Sequence, residues 1–224
     1  LNEGIAQQEK GVQILDVNVG LPEIDEVEMI KNAVFELQSV IDLPLQIDTV
    51  DIEAMEQSMR LYNGKPLVNS VNGKEKNMKD VIPLIKKYGG TLIALTIDED
   101  GIPETVEGRI KIAEKIIKTA KEYGIDKKDI VVDPLAMTIS SDTNSANITL
   151  ETVKRLSNMG IKTSLGVSNI SFGLPNREFV TSTFFAMALQ NGLNCAIMNP
   201  YSQEMMKVYY CFNALTNRDD NCTD

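Results

Sequence analysis

The sequence predicts a parallel (β/α)₈ barrel with one unit incomplete. Seven short apolar stretches alternate strictly with helix-patterned ones along 224 residues. The strands are apolar enough to suit burial on both faces, and helical connections between them imply a parallel sheet with right-handed crossovers. Nearly every strand also closes in Asp, Asn or Ser just before a helix, where barrels of this kind keep their chemistry.

Leu1 to Lys10 reads as the end of a helix, and Val12 to Asn18 as a strand with Asp16 and Asn18 on one face by the period of two. A helix follows from Ile24, with Val27, Ile30, Val34, Leu37 and Ile41 as its apolar stripe. Leu45 to Ile47 is a strand closing in Asp48-Thr49, followed by a helix carrying Ile52, Met55, Met59 and Tyr62. Pro66 to Val68 closes in Asn69-Ser70, and Asn72-Gly73 turns into a helix through Tyr88. Thr91 to Ile97 is a strand closing in Asp98-Glu99, and a long helix from Glu104 to Tyr123 turns Val106, Ile110, Ala113, Ile117 and Ala120 inward. Ile130 to Val132 closes in Asp133-Pro134, and a polar loop over Ser140 to Asn147 leads to a helix through Met159. The strand Ser164 to Val167 ends in Ser168-Asn169, a Gly-Leu-Pro turn follows, and Phe179, Thr183, Ala186 and Leu189 mark a helix starting near Asn176. Cys195 to Met198 closes in Asn199-Pro200 before a last helix from Gln203 to Leu215.

Composition narrows the function. A formal charge of −10 argues against general nucleic-acid binding. No run of eighteen apolar residues and no charged-then-apolar leader occurs, so no membrane partner is expected. Three scattered cysteines point to a reducing cytoplasm rather than a disulfide framework. With no histidine, Ser-His-Asp and Cys-His systems and His-ligated metals are excluded, and no metal site is expected. The ten methionines read as core filler.

Asp16, Asn18, Asp48, Asn69, Asp133, Ser168, Asn169 and Asn199 all fall at the strands' carboxyl ends. Singly, each has an ordinary structural explanation as a cap or turn residue. Together they form a ring of buried amides and carboxylates that a barrel does not need and that is costly to bury. A Schiff-base lysine is absent from these ends, since Lys65 and Lys162 stand at strand beginnings. Acceptors beside amides suit a flat heterocycle with several N–H and C=O groups on its edge, such as a pterin.

These motifs resemble a known family. Leu15-Asp16-Val17-Asn18, Gln46-Ile47-Asp48-Thr49, Val68-Asn69-Ser70-Val71-Asn72-Gly73, Leu95-Thr96-Ile97-Asp98-Glu99 with Gly101-Ile102-Pro103, Val132-Asp133-Pro134-Leu135 and Gly166-Val167-Ser168-Asn169 through Arg177 are similar to the pterin-binding methyltransferase barrel. That group comprises the folate module of cobalamin-dependent methionine synthase and the methyltetrahydrofolate:corrinoid methyltransferases. The likeness covers essentially the whole chain and implies a TIM-type barrel of the dihydropteroate synthase-like group. It further implies transfer of the N5 methyl group of 5-methyltetrahydrofolate to cob(I)alamin carried by a cobalamin-binding domain or corrinoid protein. By the same likeness Asp133 holds the N3 and 2-amino edge of the pterin, Asp48 and Asn69 the opposite edge, Asn169 faces N5 as the catalytic donor, and Arg177 lies beside the ring or benzoate. Asp16, Asn18, Ser168 and Asn199 line the mouth.

The family's first strand, with its Gly-Glu-Arg-x-Asn type motif, is expected before Leu1 and is missing. Residues 1–216 therefore read as an N-terminally truncated barrel and 217–224 as the start of a linker to a cobalamin-binding module. A homodimer is left open. Two other readings stand beside this one. Dihydropteroate synthase should carry a lysine near the end of the seventh strand and Arg-x-His on the eighth, where this chain has Gly166-Val167-Ser168-Asn169 and Met198-Asn199-Pro200. A pterin-binding module without catalysis would bind the folate and not turn it over.

Overall fold

The computed structural model describes residues 1–219. They fall into two compact units, Leu1–Gly101 with Lys111–Val132, and Ile102–Ile110 with the chain from Asp133 onward.

The first unit begins with α1 (Asn2–Glu9) and proceeds through β1 (Leu15–Val17), α2 (Glu26–Gln38), β2 (Leu45–Asp48), α3 (Ile52–Leu61), β3 (Leu67–Asn72), α4 (Glu75–Tyr88) and β4 (Thr91–Leu95). It also takes most of α5 (Val106–Glu122) and of β5 (Ile130–Asp133). β1, β2, β3 and β4 pair in parallel in chain order, with Asp16 opposite Gln46 and Asp48 opposite Asn69. Parallel partners in register share a face, so this pairing sets Asp16, Gln46, Asp48 and Asn69 on one side of the sheet. Their neighbours Leu45, Ile47, Val68 and Leu92 are fully buried. Each such side chain contributes about 1.5–3 kcal/mol by leaving water.

In the second unit, α6 (Ser145–Asn158), β6 (Lys162–Gly166), α7 (Arg177–Gln190), β7 (Cys195–Ile197) and α8 (Gln203–Leu215) follow the first turn of α5. β6 and β7 are parallel, with Gly166 opposite Ile197. Their core is built from Val153, Leu156, Leu165, Phe184, Phe185 and Ala188.

The described residues thus hold seven strands in β/α alternation, as the apolar runs predict. Several boundaries differ. β1 starts at Leu15 rather than Val12, and β4 stops at Leu95, where Ile97 N–H turns back onto the Leu95 carbonyl. β3 runs on past Asn69 to Asn72, with a register shift against β4 and a cis Asn69–Ser70 peptide. β6 ends at Gly166, so Ser168 and Asn169 sit on a 3₁₀ turn, Val167–Ser171, and not on the strand. In α5 it is Ile116, not Ile117, that is fully buried.

The face of α7 is a larger correction. Phe179 is 63% exposed, and Thr181, Phe184, Phe185 and Ala188 face the core instead. The helix is apolar on nearly every side, so periodicity marks it as a helix without choosing its buried stripe. The methionines divide as well: Met55, Met59, Met78 and Met205 are core residues, while Met29, Met137, Met159 and Met187 are exposed. Among the described residues no helix is long and apolar enough to cross a membrane.

Candidate active site

The first unit gathers four of the polar residues. Gln46 donates to Asp16 Oδ1 at 2.5 Å, and Asn18 donates to Asp48 Oδ2 at 3.0 Å. Asn18 Oδ1 accepts the Gly20 N–H, so that amide is spent at both ends. Asp48 does not cap α3; Asp51 does, accepting the Ala54 N–H at 2.8 Å. Thr49 donates to the Glu26 carboxylate instead, which brings a third acid towards Asp48. Asn69 is half-buried, and its side chain has no hydrogen-bond partner among the described residues.

Electrostatics follow from this crowding. Although Asp16 is open to solvent on one side, its carboxyl is pushed up to about 6, first by loss of hydration, then by the Asp48 charge, with the Gln46 amide opposing. Burial also raises Asp48, opposed by the bond from Asn18 and reinforced by Glu26.

Asp133 anchors the second unit's set. Only 8% of it is exposed, and its Oδ1 accepts the Leu135 N–H at 2.7 Å, leaving Oδ2 uncommitted. Burial pushes its carboxyl up to about 7, against the Leu135 N–H and the Arg109 charge. Arg109 was not evident as a site residue, yet it is 2% exposed and lies beneath the Asp133 turn. The available signal was an arginine in helical register with Ala113, Ile116 and Ala120, an apolar stripe.

The 3₁₀ turn after β6 carries the rest. Arg177 is not free to reach far: Nη2 donates to the Ser168 carbonyl at 3.0 Å, Nε to Ser171 Oγ at 3.3 Å, and its guanidinium lies 5.6 Å over the Phe172 ring. It braces the turn bearing Asn169. The Asn169 side chain is exposed and has no hydrogen-bond partner among the described residues. A Cβ added at Gly166 would lie 3.1 Å from Asn169 Nδ2, so glycine makes the room in which this amide stands. Asn199 Oδ1 closes its own turn, accepting the Tyr201 N–H at 2.9 Å, and Nδ2 has no partner among the described residues.

Among the described residues, the first unit keeps hydrogen-bonding capacity at Asn69, Asp48 Oδ1 and Asp16 Oδ2 while Asn18 is committed, and the second keeps it at Asn169, Asp133 Oδ2, Asn199 Nδ2 and Arg177 Nη1. Within each unit, a donor and an acceptor of this kind suit the edge of a flat polar heterocycle.

Two expectations arise here. Gly166→Ala should slow any reaction that uses Asn169 while shifting the melting temperature little, since Gly166 has φ −74 and alanine fits that backbone. An unchanged reaction rate in that variant would mean Asn169 does not depend on this space. The second concerns pH. Folded Asp133 and Asp16 titrate near 7 and 6, above an ordinary carboxyl near 4, so between about pH 5 and 7 the folded chain binds more protons than the unfolded one. The ligand-free protein is therefore expected to gain stability on acidification from pH 7.5 to 5.5. Glu99 and Glu107, both lowered, keep their contributions until the pH falls below the ordinary glutamate range. Melting temperatures that fall steadily across that window would contradict the assignment.

Comparison with known proteins gives the same direction. The family described as pterin binding enzyme matches residues 1–199. A methylcorrinoid:tetrahydrofolate methyltransferase of Eubacterium limosum is 33% identical over 227 residues, spanning 99% of this chain and 83% of that protein. Methionine synthase of Mycobacterium leprae is 30% identical over 207 residues, 86% of this chain and only 17% of the synthase. Among solved structures, dihydropteroate synthase from Xanthomonas albilineans, in complex with 7,8-dihydropteroate, has a TM-score of 0.76 at 18% identity, covering 96% of this chain and 86% of that one. The Yersinia pestis enzyme with a pterine-sulfa conjugate has a TM-score of 0.78 at 13% identity, covering 97% and 88%. At such identity these structures show the fold alone: the dihydropteroate synthase-like (β/α) barrel, here with seven strands.

Proposed function

We propose, from the premise that the chain belongs to the pterin binding enzyme family, that it is a methyltransferase moving a methyl group between N5 of a tetrahydrofolate and a corrinoid. The observation that carries this is the likeness to a methylcorrinoid:tetrahydrofolate methyltransferase along 99% of the chain. The uncommitted groups support it: Asp133 Oδ2 suits the N3–H and 2-amino donors of a pterin, Asp48 and Asn69 its other edge, and Asn169 the N5 side.

The chemical difficulty lies at N5. In the direction away from folate, the N5–CH₃ bond breaks, the methyl carbon bonds to the corrinoid cobalt(I) using its electron pair, and N5 keeps the pair of the broken bond and takes up a proton. A tertiary amine is a poor leaving group, so hydrogen bonding that strengthens as N5 becomes protonated lowers the barrier. A neutral amide such as Asn169 can swing its carbonyl to accept from a protonated N5, or its NH₂ to donate to the free lone pair, and so serves both ends of the step. The reverse reaction passes through the same transition state, so one site serves both the direction in the Eubacterium limosum enzyme's name and the methionine synthase type of chemistry. The corrinoid supplies the nucleophile; this chain's residues bind and orient the folate and stabilise charge at N5.

On this reading residues 1–216 form the pterin-binding barrel and 217–224 begin the link to a corrinoid-binding module. α8 ends at Leu215, and Arg218 folds back, donating its N–H to the Asn213 carbonyl at 2.8 Å; residues 220–224 lie outside the described residues. On this reading a reducing cytoplasm suits the three scattered cysteines. The test is spectroscopic. Cob(I)alamin with methyltetrahydrofolate, and methylcobalamin with tetrahydrofolate, are each mixed with the protein and the corrinoid spectrum followed. Transfer in both directions is expected. Tight folate binding without any transfer would favour a non-catalytic pterin module.

A further inference from the structure

We propose that Arg109 is a positioning residue for Asp133: its buried guanidinium holds the turn that aims the carboxylate and supplies the one positive charge beside it. This rests on reading Asp133 as the pterin-binding acid.

The geometry is a clamp. Arg109 Nε donates to the Pro103 carbonyl at 3.0 Å. Its Nη1 donates to the carbonyls of Pro134 and Leu135, both at 2.8 Å, and to Thr149 Oγ1 at 3.1 Å. Thr149, itself fully buried, donates on to the Leu135 carbonyl at 3.2 Å. Two successive carbonyls thus converge on one guanidinium. That convergence accompanies a left-handed Leu135, φ +63, a conformation leucine rarely adopts unless its surroundings enforce it. The same turn points the Leu135 N–H back onto Asp133 Oδ1 and leaves Oδ2 without a hydrogen bond among the described residues. Gly108 belongs to the device, because a Cβ there would lie 2.6 Å from Pro103 Cβ and push the start of α5 off the loop that Arg109 grips. The guanidinium spans two sets of acceptors, the Pro103 carbonyl through Nε and the Pro134, Leu135 and Thr149 oxygens through Nη1, and a lysine with one nitrogen cannot hold both.

The charge matters separately from the hydrogen bonds. Arg109 Nε and Nη1 donate to neutral oxygens, and the acids bearing on the guanidinium are Asp133 and, from the loop before α6, Asp142. Asp133 in turn feels burial, the Leu135 N–H and Arg109. Removing the guanidinium therefore leaves burial less opposed and drives Asp133 towards its protonated form, which cannot accept from two pterin donors at once.

The test reads Asp133 directly, by carboxyl carbon NMR across pH in the ligand-free, full-length chain, beside folate titration calorimetry and a melting curve. In Arg109→Gln the Asp133 midpoint should rise by about 1 pH unit or more, with folate binding at pH 7 weakened roughly tenfold. In Arg109→Lys the midpoint should stay near that of the parent while folate binding still weakens, because charge is kept and the fork is lost. A purely structural arginine predicts lower melting temperatures with an unmoved Asp133 titration, and that result in a folded Arg109→Gln overturns the proposal. Parental folate affinity in Arg109→Lys overturns the positioning role even where the glutamine variant does not fold. A raised Asp133 midpoint in a protein whose parent binds no folate counts against the pterin reading and leaves the coupling of Arg109 to Asp133 standing.

Discussion

Asp133→Asn should lower folate affinity about ten- to a hundred-fold and leave the protein at least as stable as before. A carboxylate accepting from two N–H groups forms charge-assisted bonds that contribute about 1.5–3 kcal/mol. Asparagine loses the charge, and with Oδ1 still held by the Leu135 N–H it would turn its own NH₂ towards the pterin donors. Stability moves the other way, because a buried acid pushed up to about 7 is held at a cost above that pH, and the amide is not. The pH profile supplies a second signature. In the parent protein, folate binding should fall as the pH drops through about 7, since protonation removes an acceptor; in Asp133→Asn the profile should be flat there. Calorimetry at several pH values, with melting curves, decides the matter. Unchanged affinity in the variant would remove Asp133 from the pocket.

The alternation of strands and helices was legible because it follows from burial: strands covered on both faces are largely apolar, and Leu92 to Leu95 or Ile130 to Val132 could be little else. The ends of strands were less so. Asn69, Asn169, Asn18 and Asn199 look alike as letters, each an amide at or just after a strand. A tertiary contact separates Asn18, committed to Asp48 and to its own turn, from Asn69 and Asn169, whose side chains have no partner among the described residues. Arg177 read as a ligand contact, and the sequence does not reveal that two of its nitrogens also brace the turn nine residues earlier, through Ser168 and Ser171. Arg109 was overlooked for the opposite reason: charge patterning treats an arginine on a long helix as solvated surface, whereas this one falls on the buried stripe beneath a turn.

The larger effect on chemistry is expected at Asn169. Its turn is fixed from below by Arg177, which grips Ser168 and Ser171, and from behind by Gly166, whose missing side chain leaves the space the amide occupies. The turn is braced while the Asn169 amide has no partner among the described residues, so its hydrogen-bonding capacity is open to a substrate. If that partner is N5, Asn169→Ala should cut the methyl-transfer rate far more than folate binding. Losing one preorganised group aimed at developing charge costs about 2.7–4 kcal/mol, roughly a hundred- to a thousand-fold in rate. Asn169→Asp makes a useful companion. It can accept from a protonated N5 but cannot donate to the unprotonated amine, so it should retain more of the rate at low pH than at high pH. An amide that merely closes its loop predicts otherwise: lower thermal stability, with transfer by the folded fraction nearly unchanged. The Asn169 side chain has no loop bond to lose among the described residues, which already weighs against that alternative. Rapid mixing with cob(I)alamin, run beside a melting curve, separates the two, and a near-normal transfer rate in a folded Asn169→Ala would rule out the catalytic role.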